Sequence, residues 1–217
     1  MNLLVVGAAG GTGMRLVAQA LVAGHRVTAL ARDPRRVTTR HEHLHVVAGD
    51  ALDPDTIDAV VPGHTAVLSA LGATTRAPTT IYSRGTANLR RSMTAAGVRR
   101  LVCLSSGALD SGAGVPAAQR LVTKFIVKPL HRHAYADMHR MEQDLAEADP
   151  RADALDWTVI RVPMLTNGPR TGTYRYSPDE GRPLDRPTRL SRADLADFIL
   201  GHVDDRETFA TRVAISY

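Results

Sequence analysis

The sequence predicts an α/β fold, in which a doubly wound parallel sheet is covered by helices on both faces. The first observation is that short apolar runs alternate with longer segments of helical periodicity along all 217 residues. The second is a glycine-rich turn that joins the first apolar run directly to a helical segment. The third is that no repeat, low-complexity tract or linker interrupts the chain, which favours a single domain over residues 1–217.

The strands are predicted where short apolar runs lie between turn residues. In chain order they cover residues 3–6, 26–31, 43–48, 65–72 (with the loop that follows), 100–104, 156–161 and 211–216. The polar stretch 166–175 is rich in turn residues and is expected to hold one further short strand.

The helices are predicted from apolar periodicity and from the residues that begin and end them. They cover residues 14–23, 54–60, 81–96, 117–127, 131–148 and about 191–202. Asp53 or Asp55 caps the second helix, and Gly97 ends the third. Pro129 is expected to end the fourth helix before the fifth begins. A stretch that resembles a capping box, Ser191-Arg192-Ala193-Asp194, begins the last one.

The charge pattern indicates a mixed solvated surface and no nucleic-acid partner. The formal net charge is +5, but the basic residues are spread along the chain and alternate with acidic ones. Of 27 basic residues only Lys124 and Lys128 are lysines, an arginine usage that indicates a GC-rich bacterial genome.

Other sequence features exclude further classes of protein. No apolar run approaches the roughly 20 residues that span a bilayer, and the chain begins inside a strand, so we expect a cytoplasmic protein without a membrane partner. Cys103 is the one cysteine, which excludes an intrachain disulfide and a cysteine metal cluster, and no metal is expected.

The glycine-rich turn has the spacing Gly7-x-x-Gly10-x-x-Gly13 between a buried strand and a helix. The first N–H groups of such a helix lack partners, and together with the helix dipole they form an anion site. Glycines let a pyrophosphate approach the backbone closely, so the turn predicts a dinucleotide site. The alternative is a tight turn without a ligand, since the spacing differs from that of the dehydrogenase fingerprint.

The end of the second strand faces the adenosine ribose in this type of fold. Arg32 stands there, with Arg35 and Arg36 close behind, and guanidinium groups suit a phosphate. We therefore predict NADP(H) rather than NAD, with Arg32 as the main contact of the 2′-phosphate. Asp33 is an objection because its carboxylate could serve a ribose hydroxyl. A solvated basic loop is the alternative.

Three more strand ends carry candidate residues. Asp50 follows the third strand, where it either accepts from an adenine amino group or orders its own loop. Small residues after the fourth strand, 69–72, allow a ribose to approach. Ser105 and Ser106 end the fifth strand, where a nicotinamide and a substrate would meet, unless they only cap a turn. The loop over 110–116 is a possible substrate lid.

Several motifs together resemble one family. They are Val5-Val6-Gly7-Ala8-Ala9-Gly10-Gly11-Thr12-Gly13, Ala31-Arg32-Asp33-Pro34, Gly49-Asp50, Leu104-Ser105-Ser106, Leu155-Asp156-Trp157-Thr158-Val159-Ile160-Arg161 and Leu190-Ser191-Arg192-Ala193-Asp194-Leu195-Ala196-Asp197-Phe198. In these the chain is similar to the atypical short-chain dehydrogenases, in the NAD(P)H-binding group that includes biliverdin-IXβ/flavin reductase and the NmrA-like proteins. The resemblance covers nearly the whole chain and implies a Rossmann-type fold with a small C-terminal substrate-pocket region.

The resemblance also implies roles for individual residues. The pyrophosphate is held by Gly7, Gly10, Gly11, Thr12 and Gly13, the 2′-phosphate by Arg32, and the adenine by Asp50 and Ala51. The ribose side is lined by Ser69, Ala70, Leu71 and Gly72, and the nicotinamide end by Ser105 and Ser106.

The departures from the family concern the proton donor. Classical members use a Tyr-x-x-x-Lys pair, which this chain lacks. Tyr135 stands in the closest place, and His139 follows at helical spacing, so the two either donate and relay a proton or lie on the surface. Methionines, Met138 and Met164, stand where relatives carry lysine or histidine, which indicates an apolar and adaptable substrate pocket. Pocket elements are expected within 107–135 and 164–190.

The function expected from these residues is an NADPH-dependent reduction of a flat conjugated acceptor, such as a flavin, quinone or related small molecule. Ser106 would be the polar contact beside the nicotinamide. A sensor of NADP(H) without turnover, of NmrA-like type, is one alternative, and a ketoreductase or isomerase of specialised metabolism is another. The expected partner is a small-molecule substrate, and the chain is expected to be a monomer or a homodimer.

Overall fold

The computed structural model describes residues 1–109, 117–148, 155–178, 184 and 189–217. The strands are β1 (Asn2–Val6), β2 (Arg26–Ala31), β3 (Leu44–Ala48), β4 (Ala66–Ser69), β5 (Arg100–Ser106), β6 (Asp156–Val162), β7 (Met164–Thr166), β8 (Arg175–Ser177), β9 (Arg189–Ser191) and β10 (Thr211–Ser216). The helices are α1 (Gly11–Val22), α2 (Pro54–Val60), α3 (Ser83–Ala96), α4 (Ala117–Val122), α5 (Lys128–Leu130), α6 (Arg132–Ala146) and α7 (Arg192–Gly201). A π-helical turn, Thr123–Val127, joins α4 to α5.

The main sheet has the strand order β3-β2-β1-β4-β5-β6-β10-β8. Neighbouring strands are parallel from β3 to β10, with β1 paired to both β2 and β4. The chain therefore winds outward in both directions from β1, and the predicted doubly wound α/β fold is confirmed. In such a sheet, ligands bind in the crevice outside the carboxyl ends of the two strands from which the winding runs in opposite directions, here β1 and β4.

Two features of the sheets differ from the prediction. β8 pairs antiparallel with β10 at the sheet edge, so the sheet is parallel except at that strand, a direction that the sequence did not indicate. An antiparallel edge strand is common on such sheets because it needs no crossover helix. β7 and β9 form a separate two-stranded parallel sheet beside the C-terminal ends of the main strands.

The sheet is packed on both faces, as the apolar β1 sequence requires. Leu3, Leu4, Val5 and Val6 are at most 1% exposed. On one face α1 and α7 contribute Leu16, Val17, Leu195 and Phe198. On the other face α2, α3 and α6 contribute Ile57, Leu89, Met93, Met141 and Leu145.

Some boundaries differ from those predicted. α1 begins at Gly11, inside the glycine motif, so the turn and the helix start share residues. Pro129 does not end the helical conformation as expected. It lies in the first turn of α5, where its missing N–H is not needed. The possible lid over 110–116 lies outside the described residues. Among the residues described, no helix is long and apolar enough to cross a bilayer.

Candidate active site

A cleft of about 620 Å³ opens at the C-terminal ends of the central strands. Its walls are the turn after β1, the loops after β2, β3 and β4, the ends of β5 and β6, and the start of α7. The predicted site residues that line it are Gly7, Gly10, Gly11, Thr12, Arg32, Asp50, Ala51, Ala70, Leu71, Gly72, Ser105 and Met138.

The turn after β1 brings the start of α1 to the floor of the cleft. Gly7 has φ +78°, and a Cβ there would lie 2.7 Å from the Ala70 carbonyl oxygen. A Cβ on Gly13 would overlap the Gly7 carbonyl, so only glycine lets α1 pack against the turn. The Gly10 N–H donates to the Gly7 carbonyl at 3.0 Å. No acidic residue lies in the first turn of α1, so its unpaired N–H groups keep their positive potential.

Arginines line the end of the cleft beside β2. Arg32 and Arg36 both face it, and within the described part of the chain neither takes part in an ion pair. Asp33 is instead paired with Arg35, whose Nε lies 2.9 Å from the carboxylate Oδ1. The hydrogen bond from Arg35 holds the pKa of Asp33 below its ordinary value. The acidic residue that argued against a phosphate is thus already engaged by a neighbour.

The loop after β3 forms the adjacent wall. The Asp50 Oδ1 accepts from the Leu52 N–H at 3.0 Å, so this carboxylate orders its own loop. The Ala51 carbonyl accepts from the Asn88 side chain at 2.9 Å, which attaches the loop to α3. A contact of Asp50 or Ala51 with an adenine stays a prediction.

Ser69 does not line the cleft, unlike the three residues that follow it. It pairs in register with Cys103 of β5, is buried, and forms a hydrogen bond with the Cys103 thiol. Side chains of a strand alternate between its faces, and Ser69 is the last strand residue, which places its hydroxyl in the core. Burial raises the pKa of Cys103 to about 12, so this thiol is protonated and unreactive at neutral pH.

The two serines at the end of β5 have different surroundings. Ser105 lines the cleft, is 1% exposed, and its hydroxyl is the one buried side-chain oxygen or nitrogen without a hydrogen-bond partner in the described structure. The Ser106 hydroxyl accepts from the Ala108 N–H at 3.2 Å and does not line the cleft. Ser106 therefore does not line the cleft as expected, because successive strand residues face opposite sides, and a contact of Ser105 with a nicotinamide stays a prediction.

Of the predicted site residues on α6, only one lines the cleft. Met138 lines the cleft, whereas Tyr135 lies in an adjoining side pocket of about 330 Å³, with its ring 5.9 Å from that of His131. His139 is exposed. Met164 is 67% exposed and lies outside the cleft, which its strand neighbour Leu165 lines in its place. Neither Tyr135 nor Met164 thus lines the cleft, and a role of either in catalysis or substrate binding stays a prediction.

Tyr82 is a cleft residue that the sequence analysis missed. It is 6% exposed and lies just before α3. Its hydroxyl accepts from the Ala73 N–H at 3.0 Å, and its own N–H donates to Asp137 Oδ2 at 2.9 Å. Burial raises the pKa of Tyr82 above its ordinary value of 10.0, so its hydroxyl, like that of a free tyrosine, is protonated at neutral pH. The available signal was a tyrosine at a helix start that follows a central strand.

Arg192 is the second residue that was missed. Its Nη1 donates to Asn167 Oδ1 at 2.9 Å and to the Leu165 carbonyl at 3.4 Å. The Cδ and Nε atoms lie 2.9 Å from the place that a Cβ on Gly11 would take, so the side chain covers the start of α1. The sequence showed Arg192 only as part of a helix cap, since nothing local linked it to the glycine turn.

These features fit a dinucleotide with an additional phosphate. The turn has no side chains where a pyrophosphate would lie, unpaired arginines stand near the second strand, and a buried hydroxyl lacks a partner at the opposite end. The described residues hold no group of three or more His, Cys, Asp or Glu side chains placed to bind a metal.

Comparisons with known proteins agree with this geometry. A family model described as NAD(P)H-binding matches residues 7–206. A short-chain dehydrogenase/reductase from Veillonella parvula, solved in complex with NADP, is 20% identical with a TM-score of 0.81 over 100% of this chain and 94% of its own. The oxidoreductase ylbE from Lactococcus lactis is 20% identical with a TM-score of 0.79, over 100% and 90%. A candidate NADH-flavin reductase from Streptococcus pneumoniae is 18% identical with a TM-score of 0.76, over 100% and 99%. At these identities the structural likeness establishes the fold.

Proposed function

The chain belongs to the NAD(P)H-binding family, and from this premise we propose that it is an NADPH-dependent oxidoreductase acting on a flat conjugated acceptor, such as a flavin or a quinone. The observation that carries the proposal is the buried Ser105 hydroxyl, which has no partner among the described residues and faces the cleft at the end of β5. A buried hydroxyl without a partner is costly, and a polar ligand group at that place would remove the cost.

Different residues of the cleft would bind different parts of the cofactor. The first N–H groups of α1 and the guanidinium of Arg192 would hold the pyrophosphate. Arg32 and Arg36 would hold the 2′-phosphate, which supports NADPH over NADH. Ser105 would bind the polar group of the nicotinamide end.

When bound, NADPH supplies the hydride. The apolar side chains that line the cleft include Leu104, Val162, Leu165, Met138 and Ile81. These apolar side chains would exclude water and bind the faces of a flat ring system. Tyr82, kept protonated by its burial, would donate a hydrogen bond to a carbonyl or ring nitrogen of the acceptor.

The acceptor class follows from what the cleft residues offer. Flavins and quinones take up a hydride through their own conjugated electrons, so the protein needs no strongly activated proton donor. A cleft with an apolar end, one buried serine and one neutral tyrosine suits that chemistry.

A second candidate function is an NADP(H) sensor without turnover. It is favoured by one observation, that two of the predicted catalytic side chains, Ser106 and Tyr135, lie outside the cleft. The sensor would keep the whole cofactor site and would act through a protein partner.

One experiment separates these functions. NADPH consumption is followed at its absorbance band with FMN, riboflavin and a small naphthoquinone as acceptors, beside titrations with NADPH and NADH. The oxidoreductase proposal expects turnover with at least one acceptor and tighter binding of NADPH. Ser105→Ala is expected to lower turnover, while the matched variant Ser106→Ala retains it. Tight NADPH binding without turnover on any acceptor would favour the sensor.

A further inference from the structure

The segment 120–132, which we call the docking helix, exposes an unusual amount of apolar surface. It comprises the end of α4, the π-helical turn, α5 and the residues that lead into α6. Five large apolar side chains are exposed in it: Leu121 by 56%, Val122 by 50%, Phe125 by 64%, Ile126 by 60% and Leu130 by 41%. Contiguous apolar surface of this kind marks an interaction site more often than a solvated face.

The same segment carries a row of positive charges. Arg120, Lys124, Lys128 and Arg132 follow one another at intervals of four residues, and all but the half-buried Lys128 are exposed. Lys124 and Lys128 are the only lysines of the chain, and residues 117–136 contain no aspartate or glutamate. The docking helix is therefore both apolar and purely basic.

Contacts with the other described residues leave the apolar side chains uncovered. The Lys128 ammonium group donates to the Leu109 carbonyl at 3.4 Å. Thr123 and Val127 are half-buried, whereas Phe125 and Ile126 between them are exposed. The side toward the protein thus uses small or short side chains, and the largest apolar ones point outward.

Charge decides which occupant fits this surface. A second copy of the chain would bring the same four cations against these four, which like-charge repulsion opposes. An anionic lipid bilayer offers apolar acyl chains for the exposed side chains and a negative surface for the cations. We propose that the docking helix lies in the surface of an anionic bilayer and attaches the protein there.

Peripheral attachment does not require a membrane-spanning segment. The expectation of no membrane partner rested on the absence of an apolar run of about 20 residues, which applies only to helices that cross the bilayer. An interfacial helix needs one apolar side and one basic side, and the docking helix has both.

The test is co-sedimentation of the full chain with vesicles of phosphatidylcholine alone or mixed with phosphatidylglycerol. The protein is expected to bind the mixed vesicles, to bind neutral vesicles far more weakly, and to dissociate as salt is raised. Arg120→Gln with Lys124→Gln is expected to lower the partition coefficient roughly thirty-fold, from the contribution of about two exposed charges. Phe125→Ser with Ile126→Ser is expected to abolish binding.

The matched controls remove an exposed apolar side chain and an exposed charge that lie outside the docking helix. Val22→Ser takes away an apolar side chain that is 89% exposed on α1, and Arg84→Gln takes away an exposed charge on α3. Both should bind as the unmodified protein does, and circular dichroism with thermal unfolding checks that every variant is folded. Because no nucleotide is present, the result is independent of the proposed function.

Two outcomes would overturn the proposal. One is that the unmodified chain fails to bind anionic vesicles, or binds them equally well after the paired substitutions. The other is a dimer in light scattering that Phe125→Ser with Ile126→Ser converts to a monomer, which would assign the surface to contact between copies.

Discussion

The side chain of Arg192 lies over Gly11, with its Cδ and Nε 2.9 Å from the position of a Cβ on that glycine. The contact joins the start of α7 to the start of α1, where the unpaired N–H groups also carry positive potential. No acidic residue lies in the first turn of α1, so the guanidinium and the helix start are two positive groups side by side at the cleft. An anion bound between them would neutralise both.

Arg192→Met is expected to weaken NADPH binding roughly 10- to 100-fold, because a charge-assisted hydrogen bond contributes about 1.5–3 kcal/mol. Titration calorimetry measures the change. Adenosine 2′-monophosphate lacks both phosphates of the bridge to the nicotinamide, so its affinity should stay within about twofold. An equal loss for both ligands would contradict the role assigned to Arg192.

Arg32→Ala is expected to remove most of the preference for NADPH. The 2′-phosphate would lose a charge-assisted partner, while NADH, which lacks that phosphate, would bind as before. Arg84→Ala is the matched control, since Arg84 is an exposed arginine of α3 that does not line the cleft. The measurement is the ratio of the NADH and NADPH dissociation constants. An unchanged ratio in Arg32→Ala would show that the arginine is only a surface charge.

Tyr82→Phe is expected to lower kcat about tenfold or more with little change in the NADPH dissociation constant, since it removes one polar contact to the acceptor. Tyr135→Phe, a matched substitution in the side pocket, should have little effect. Steady-state kinetics with the preferred acceptor compares the two. A larger loss of kcat in Tyr135→Phe than in Tyr82→Phe would assign the hydrogen bond to the acceptor to Tyr135 instead.

Asp194 is expected to make the stability of the C-terminal region depend on pH. It is fully buried and accepts from Thr171 N–H at 2.7 Å, Gly172 N–H at 2.8 Å and the Tyr217 hydroxyl at 2.5 Å. Burial alone raises the pKa of Asp194, but the hydrogen bonds from Tyr217, Gly172 and Thr171 outweigh it, so the pKa lies below its ordinary value of 3.8. The carboxylate therefore stabilises the fold above that value, and this stabilisation is lost as the pH falls through the lowered pKa.

Asp194→Asn is accordingly expected to reduce the free energy of unfolding by about 2–4 kcal/mol at neutral pH, because it removes a charged acceptor of several buried donors. Urea unfolding between neutral pH and pH 3 measures the difference from the unmodified protein. The difference should be constant above about pH 5 and narrow as the pH falls below 3.8. A difference that does not depend on pH would indicate lost packing alone.

Much of the fold could be predicted from the sequence because its signals are local. The apolar runs and their periods located β1 to β6 and β10, and Gly97 marked the end of α3, where its φ of +70° needs a glycine. The antiparallel β8 and the continuation through Pro129 were not predicted, since pairing direction and helix register depend on neighbours distant in sequence.

The candidate site, like the fold, could be predicted from the sequence only in part. The residues at the strand ends, Gly7, Arg32 and Ser105 among them, could be predicted to face one cleft because parallel strands bring their C-terminal ends together. Whether Ser105 or Ser106 faces the cleft depends on strand register, which residue types do not reveal.

By itself the sequence determined the α/β class, the glycine turn and the basic end of the second strand. These depend on short-range rules of backbone geometry and apolar periodicity. Only the tertiary structure brought Arg192 over Gly11 and placed Tyr82 in the cleft while Tyr135 lies beside it. The physical reason is that α7 and α1 meet through packing on one face of the sheet, and a contact between segments so far apart in sequence leaves no local signal in either.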